Sequence, residues 1–156
     1  MKQRTELIGL YRQKIKAANK ELAKKELFKD LLNRLYQGEK EIEKVIDKMT
    51  SGAEKTVLNI PRKDKMHQGS ADTLYNKIII EFENNLKVTL KHAKQQLAGY
   101  LLGQFNSGEG YNYTLIASDF INWKVFAPDI TQLDRLEELT EDKLKLNEVE
   151  SASFTL

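Results

Sequence analysis

The stretch GSADTLYNKIIIEFENN, residues 69–85, combines a run of isoleucines with acidic residues. Isoleucine, tyrosine and phenylalanine favour β-structure, so residues 70–75 and 77–84 are predicted to be two strands. Asn76, which lies between them, is a turn-forming residue. The stretch therefore predicts a β-hairpin whose second strand is apolar enough to be buried on both faces.

Three carboxylates lie within this hairpin, although a buried sheet would normally reject them. If Asn76 and Lys77 form a two-residue loop, Asp72 lies directly opposite Glu81, with Cβ atoms roughly 5 Å apart. Side chains alternate between the two faces of a strand, so Glu83 shares a face with Glu81. We therefore expect the three carboxylates to crowd one small patch.

Two explanations remain open for this patch. Carboxylates so close together repel one another, and they lose solvation beside apolar residues. A hard divalent cation would compensate, since Mg²⁺ takes oxygen ligands and often uses only one or two protein carboxylates. The alternative is an edge strand whose acidic side chains are simply solvated.

The segments before the hairpin are predicted to be mainly helical. Apolar residues recur with helical spacing over residues 2–48, which predicts two or three helices with breaks near Asn19 and Gly38. Three short segments then lead to the hairpin: a polar turn, a short strand and a polar basic loop, at residues 50–55, 56–61 and 62–69.

The segments after the hairpin alternate between helix and strand. An apolar stripe predicts a helix over residues 86–105, and two strands follow at 111–119 and 121–128. Residues 131–146 are predicted to be a helix, and nothing is predicted to hold the last ten residues. The order predicts an α/β fold with a mixed central β-sheet flanked by helices.

Length and composition limit the class of protein. A chain of 156 residues fits a single domain, divided into a helical part at 1–50, a sheet core with a crossover helix at 51–130, and a C-terminal helix and linker at 131–156. No segment approaches the roughly 20 apolar residues of a membrane span, so we expect no membrane partner. The absence of cysteine excludes disulfides and thiolate metal sites, and no signal peptide is recognisable. We expect a cytoplasmic protein.

Charge is distributed unevenly along the chain. Residues 1–30 contain nine Lys or Arg and four acidic residues, whereas residues 129–150 contain eight acidic residues and three basic ones. A basic end could lie along a nucleic-acid backbone, because neutralising phosphates releases counterions. The alternative is an ordinary solvated helix face.

The spacing of the acidic residues resembles a known motif. Asp72, eight further residues and then Glu81-x-Glu83, in a helix–strand–strand–strand–helix–strand order, resemble the PD-(D/E)xK nuclease superfamily. QLAGY, from Gln96 to Tyr100, resembles the Q-h-x-x-Y signature of the branch related to the RecB nuclease. The resemblance implies a restriction-endonuclease-like fold with an αβββαβ core and extra N-terminal helices.

A closer resemblance covers about residues 20–130. GSADTLYNKIIIEFENNLK, HAKQQLAGY and YTLIASDFINWKVFAP together resemble the N-terminal nuclease-like domain of large bacterial restriction enzymes, which fuse a nuclease to an adenine-N6 DNA methyltransferase. This resemblance implies an endonuclease that acts on double-stranded DNA in restriction-modification. It also implies a methyltransferase in the same polypeptide beyond Leu156. Because one active site cuts one strand, double-strand cleavage would require either pairing of two protomers or successive nicks.

The resemblance implies a metal site. Asp72 and Glu81 would bind Mg²⁺, with Mn²⁺ as a substitute, and the backbone carbonyl of Phe82 would be a further ligand. A helical glutamate often completes such sites, and Glu26 is the candidate because it precedes an apolar helical stripe.

The resemblance also implies contacts with the substrate. Gln96 and Tyr100 would position it from neighbouring sides of one helical turn. Arg62, Lys63 and Lys65 of the predicted basic loop would contact phosphates, which gives affinity without reading the base sequence.

Glu83 departs from the superfamily pattern, because a lysine that orients the attacking water usually occupies this position. Lys77 is too distant to replace it, at roughly 13 Å from Glu81 along the strand. Three lysines of the following helix point away from the side that carries Gln96: Lys87, Lys91 and Lys94. Either Glu83 acts as a water-orienting base or second-metal ligand, or catalysis has been lost.

Three hypotheses follow from these patterns. The first is a Mg²⁺-dependent DNA endonuclease domain with Asp72, Glu81 and Glu83 as catalytic residues. The second is a catalytically inactive nuclease-fold module that binds DNA or docks to a methyltransferase or translocase. The third is a helical interaction protein whose acidic strand binds no metal.

Overall fold

The computed structural model describes residues 1–50, 54–63 and 65–156. Residues 51–53 of the predicted polar turn and residue 64 of the predicted basic loop lie outside the described residues. The helices and strands are α1 (Lys2–Ala17), α2 (Glu21–Leu35), α3 (Lys40–Met49), β1 (Lys55–Arg62), β2 (Lys65–Ala71), β3 (Thr73–Tyr75), β4 (Ile78–Phe82), α4 (Leu86–Asn106), β5 (Thr114–Ser118), β6 (Asn122–Pro128), a 3₁₀ helix (Ile130–Glu138), β7 (Leu146–Glu148) and β8 (Phe154–Thr155).

The strands form a mixed sheet and a separate hairpin. In the described residues, β3, β4, β5, β6 and β7 are hydrogen-bonded in that order, β8 pairs with β6, and β1 pairs with β2. β4 and β5 are parallel, whereas the other neighbours are antiparallel. A parallel pair needs a long crossover connection, and α4 provides it between β4 and β5. The predicted mixed sheet flanked by helices is confirmed.

The predicted register of the central hairpin is also confirmed. Thr73 pairs with Ile80, and Tyr75 pairs with Ile78, which leaves Asn76 and Lys77 as the two-residue loop. Asn76 adopts a φ of 52°, a left-handed conformation that asparagine tolerates better than most residues. This local turn chemistry is sufficient to determine which residues face each other.

The two faces of the sheet are covered by different helices. On one face, Ile79 belongs to a buried cluster with Leu97 and Leu101 of α4. On the other face, Ile80 belongs to a second buried cluster with Tyr11 of α1. Alternation along β4 therefore divides the core into an α4 layer and a layer of N-terminal helices.

The N-terminal layer is attached to the loop between β5 and β6. The Phe120 ring is stacked on Phe82, with centroids 4.5 Å apart and planes 7° apart. The Tyr11 hydroxyl donates a hydrogen bond of 2.7 Å to the carbonyl of Phe120. The end of β4 is consequently packed against both α1 and the turn that follows β5.

The prediction of a polar loop at residues 62–69 is wrong. The structure forms β2 at Lys65–Ala71, with Arg62 of β1 opposite Lys65. Most side chains of β2 are exposed, so the segment has little of the apolar content by which strands are recognised. Backbone pairing with β1 stabilises it instead.

The prediction of a C-terminal helix at residues 131–146 is also wrong. A 3₁₀ helix spans Ile130–Glu138 and is interrupted at Arg135, where φ is −136°. The chain then returns to the sheet as β7 and β8, and the Leu156 N–H donates to the carbonyl of Ile121 at 2.8 Å. The last ten residues are thus held by backbone pairing to β6, which local patterning does not reveal.

None of the helices in the described part of the chain is long and apolar enough to cross a membrane.

Two glycines allow α4 to lie directly on β1. A Cβ atom at Gly103 would lie 2.5 Å from the carbonyl oxygen of Leu58 and 2.7 Å from Cγ1 of Val57. A Cβ atom at Gly99 would lie 2.8 Å from a carboxylate oxygen of Glu141. Since a backbone oxygen cannot turn aside as a side chain can, Gly103 is the stricter requirement.

Substitution of Gly103 should therefore destabilise the fold. We expect Gly103→Ala to lower the free energy of unfolding by about 1–3 kcal/mol, because the added methyl group overpacks this contact. Gly9 of α1 is the control, since a Cβ atom there meets nothing within 4 Å and Gly9→Ala should stabilise the helix by roughly 0.5–1 kcal/mol. Urea unfolding of both variants tests this; equal effects would contradict it.

Candidate functional site

Asp72 and Glu81 are held together by the backbone of the strands that carry them. Asp72 lies at the break between β2 and β3, opposite Glu81 of β4. The Phe82 N–H donates to Oδ2 of Asp72 at 2.9 Å, and the Asp72 N–H donates to Oε1 of Glu81 at 3.1 Å. At this break, two backbone donors are satisfied by carboxylates, and each carboxylate is fixed by the opposite strand.

A lysine from α2 contacts this carboxylate pair. Lys25 Nζ lies 2.6 Å from Oδ1 of Asp72 and 3.0 Å from Oε1 of Glu21, one helical turn earlier. The Asp72 side chain is only 11% exposed, so this ammonium supplies a charge that water cannot fully replace. Both Asp72 oxygens therefore accept hydrogen bonds within the chain.

The surroundings of Glu81 shift its pKa strongly. Glu81 is 5% exposed, and burial, followed by repulsion from Asp72, raises its pKa to about 8. The charge of Glu83 contributes in the same direction. Two carboxylates side by side in a poorly solvated site cannot easily both be ionised. A cation that entered the site would therefore displace a proton from Glu81, and that proton would pass to solvent.

Tyr100 lies near the carboxylate pair on the α4 side. Burial raises the pKa of its hydroxyl, and the charges of Glu81 and Asp72 raise it further. The hydroxyl donates a hydrogen bond of 2.8 Å to the carbonyl of Ser70. Tyr100 therefore connects α4 to the end of β2, close to the predicted site.

Gln96 lies one turn before Tyr100 and is partly buried. Its Oε1 atom is buried and has no hydrogen-bond partner in the described part of the chain. A buried acceptor without a donor carries a desolvation cost, so Gln96 Oε1 is an unsatisfied acceptor on the α4 side of the sheet.

The two remaining predicted glutamates lie at the margin of the site. Glu83 is partly buried, and its N–H donates to the carbonyl of Ser118 at 2.9 Å. Glu26 is exposed but lines a cleft of about 240 Å³ that Asp72 also lines. The structure therefore brings Asp72 and Glu81 into direct contact, with Glu83 and Glu26 farther out.

The cleft lies between α2 and the sheet, and its apolar side includes Phe28 and Phe82. Its charged lining residues are Lys25, Lys29, Glu26, Glu54 and Asp72. Asp72 is the member of the carboxylate pair that lines it. A charged ligand in this cleft would meet the ammonium groups of Lys25 and Lys29 as well as carboxylates.

The predicted phosphate-binding residues lie around a second depression. Arg62, Lys63 and Lys65 line a volume of about 590 Å³ at the β1–β2 turn, together with Glu141. Arg62 Nε pairs with Oε2 of Glu141 at 3.0 Å, so Arg62 also attaches the C-terminal segment. Lys63 and Lys65 are exposed and extend into solvent.

The oxygen atoms at the pair suit a hard divalent cation. Glu81 Oε1 accepts a hydrogen bond from the Asp72 N–H, and the Phe82 carbonyl lies on the same side of β4 as the Phe82 N–H, which donates to Asp72. In residues 1–50, 54–63 and 65–156, no three His, Cys, Asp or Glu side chains are grouped so as to hold a metal. A site here would therefore use two carboxylates and a carbonyl, a donor set that Mg²⁺ accepts, and Lys25 would have to leave Oδ1.

The sequence interpretation missed Lys25. It considered lysines near the glutamates or on the following helix, whereas Lys25 lies 47 residues before Asp72. One signal was present: Lys25, Phe28 and Leu32 recur at i, i+3 and i+7, which puts the lysine on the stripe of α2 that faces the sheet.

Comparison of the chain with known proteins finds no matching family model, no similar curated protein and no similar solved structure.

The raised pKa of Glu81 predicts a pH-dependent stability. Between its ordinary pKa of 4.5 and about 8, folded protein retains a proton that unfolded chain releases, so this stabilising contribution decreases as pH rises. Relative to Glu81→Gln, the free energy of unfolding of the wild type should fall by up to about 1.4 kcal/mol per pH unit.

Urea unfolding at pH 5 to 8 in EDTA measures this difference. Glu41→Gln, at an exposed position on α3, is the control and should follow the wild type. Parallel pH profiles for the wild type and Glu81→Gln would show that Glu81 is ionised throughout.

Proposed function

We propose that this chain is a Mg²⁺-dependent endonuclease domain that hydrolyses DNA phosphodiester bonds. The observation that carries the proposal is the contact between Asp72 and Glu81, which are locked across a strand break by the N–H groups of Phe82 and Asp72. Buried carboxylates are costly without a partner, and a divalent cation with a phosphate is a partner that suits both.

The order of elements supports the same proposal. A helix precedes the strands, the hairpin that carries the acids leads through α4 to the parallel strand β5, and the N-terminal helices are additional. If β2 and β3, which only Asp72 separates, are counted as one interrupted strand, this order is compatible with the αβββαβ core of restriction-endonuclease-like nucleases. Tyr100 of the Q-h-x-x-Y segment lies close enough to the acids for their charges to raise its pKa.

In this proposal, each residue of the site has a specific role in hydrolysis. Asp72 and Glu81 hold the cation through carboxylate oxygens, and the Phe82 carbonyl is a further ligand. When bound, Mg²⁺ polarises the scissile phosphate and lowers the pKa of a coordinated water. Gln96 presents its unpaired amide oxygen to the substrate or its water, and Glu83 accepts a proton from the attacking water or binds a second cation.

Lysines on the surface provide affinity for the DNA backbone. Lys63 and Lys65 at the β1–β2 turn, Arg62 beside them, and the basic residues within residues 1–30 contact phosphates in this proposal. Phosphate contacts orient the duplex and do not read the base sequence. A methyltransferase in the same polypeptide would give the site its place in restriction-modification, and two protomers would be needed to cut both strands at once.

Two observations favour a second function. Glu83 takes the position where a lysine is usual, and Lys25 forms an ion pair with Asp72. These features suit a catalytically inactive module of the same fold that binds DNA or docks to a methyltransferase or translocase. The two functions differ in whether the carboxylates support hydrolysis.

Cleavage of supercoiled plasmid with Mg²⁺ or Mn²⁺ tests the nuclease function. Asp72→Asn and Glu81→Gln should each reduce the nicking rate more than about 100-fold, because loss of even an outer-shell group at a metal site costs 10–100-fold. Glu41→Gln is the control and should retain full activity.

The chain, and any longer enzyme that contains it, should be assayed over several DNA substrates. Absence of cleavage by wild type in both metals would refute the endonuclease. If salt-dependent DNA binding remained, the inactive module would be the better description. If neither DNA nor Mn²⁺ bound, the interaction protein would be favoured.

DNA binding should depend on salt through the exposed lysines. For Lys63→Gln combined with Lys65→Gln, the slope of log affinity against log salt should become less steep by about two, roughly one for each lost phosphate contact. Fluorescence anisotropy at several salt concentrations measures the slope. Lys44→Gln, on α3 and paired with Glu41, should leave it unchanged; an unchanged slope in the double variant would place the DNA elsewhere.

A further inference from the structure

The ammonium group of Lys25 already provides a positive charge at the carboxylate pair. Lys25 Nζ lies 2.6 Å from Oδ1 of Asp72, an atom that a divalent cation would need. An ammonium and a divalent cation cannot share that oxygen at bonding distance, because like charges in a poorly solvated site repel strongly. Binding of a cation to the pair therefore requires Lys25 to move.

The Lys25 side chain has space to move away from Asp72. It is 31% exposed, and its second partner, Glu21, lies on the same helix one turn away. Both Lys25 and Asp72 line the cleft of about 240 Å³, so the ammonium can swing into it about its four-carbon stem without displacement of α2. A phosphate group in the cleft would offer Lys25 an anion in exchange for Asp72, and Lys29 would offset the repulsion from Glu26 and Glu54, which also line the cleft.

Neighbouring lysines are less suited to this exchange. Lys24 is 9% exposed, and its Nζ donates to the carbonyl of Asn84 at 3.2 Å. Lys29 also lines the cleft, but its nearest acidic partner is Asp47 of α3, at 4.0 Å. Among the lysines that line the cleft, Lys25 is the one whose movement changes the charge at Asp72.

We infer that Lys25 is a switch that couples DNA binding to divalent-cation binding at Asp72 and Glu81. Without DNA, its ammonium occupies Asp72 and keeps the divalent cation out. A DNA phosphate in the cleft draws the ammonium away and leaves the carboxylates to the cation. The inference rests on the proposed nuclease function, and it assigns Lys25 a role in positioning charge at that site.

Such coupling must be reciprocal. If DNA raises the affinity for the cation, the cation raises the affinity for DNA by the same factor. The arrangement would keep the site without metal until a substrate arrives. The usual lysine would then not be required at position 83, because Lys25 of α2 supplies the positive charge beside the phosphate.

The test is Mn²⁺ binding by electron paramagnetic resonance, with and without a short DNA duplex of mixed sequence. Duplex alone gives the background of Mn²⁺ bound to DNA. In the wild type, the duplex should raise the affinity of the protein site for Mn²⁺ by at least about five-fold, within the usual range of allosteric coupling.

Two variants at Lys25 separate the switch from general attraction between DNA and cations. Lys25→Met should bind Mn²⁺ more tightly than wild type without DNA, and the effect of DNA should shrink to less than half. Lys25→Arg keeps the charge and should retain both weak Mn²⁺ binding without DNA and the increase with DNA. Lys44→Met, a lysine outside the cleft, should behave as wild type.

Thermal unfolding first establishes that each variant is folded. If Lys25→Met does not fold, the wild type, Lys25→Arg and Lys44→Met still test the exchange, since all three must show the increase with DNA. Equal Mn²⁺ affinity with and without DNA in the wild type, or an undiminished increase in Lys25→Met, would overturn the inference while the cation site stands. Absence of Mn²⁺ binding by every folded variant, with DNA present, would refute the proposed nuclease itself.

Discussion

The structure depends on the way two carboxylates replace ladder hydrogen bonds at one strand break. Asp72 interrupts the strand that would otherwise run from β2 into β3, and its side chain accepts from the Phe82 N–H. The Glu81 carboxylate in turn accepts a hydrogen bond from the Asp72 N–H. These bonds compensate for part of the cost of burying acids, and they fix the carboxylates in one orientation. A charge remains to be neutralised, and the rest of the site follows from that requirement.

The two helical layers reach the acids from opposite faces of the sheet, and the layer of N-terminal helices supplies the neutralising charge. α4 packs on the face of Ile79 and brings Tyr100 near the acids. The N-terminal helices pack on the face of Ile80, and from there α2 extends Lys25 to Asp72. The carboxylates therefore lie where the two layers approach each other. Packing that stabilises the fold also determines which charged groups can reach the acids.

The hairpin and its surroundings could be predicted from the sequence because the signals there are local. Asn76 determines the turn, the turn determines the register, and the register places Asp72 opposite Glu81. α4, β5 and β6 were likewise predicted from the periodicity of apolar residues. In each case the residues that determine the element lie within it or directly beside it.

The remaining features depend on contacts between distant parts of the chain. β2 is mostly exposed, and β7 and β8 are short, so pairing with β1 and β6 decides their conformation. Lys25 reaches Asp72 across 47 residues, and no spacing rule connects them. The predicted C-terminal helix failed for a related reason, since pairing with the sheet competed with a helical pattern of leucines.

Anomalous diffraction at the manganese edge, on crystals grown with a DNA duplex and soaked in Mn²⁺, would locate a cation bound at the two carboxylates. We expect a peak within bonding distance of carboxylate oxygens from both Asp72 and Glu81, with the Lys25 ammonium withdrawn from Asp72. A DNA-bound structure with no such peak, in which Lys25 still lies on Asp72, would contradict this expectation.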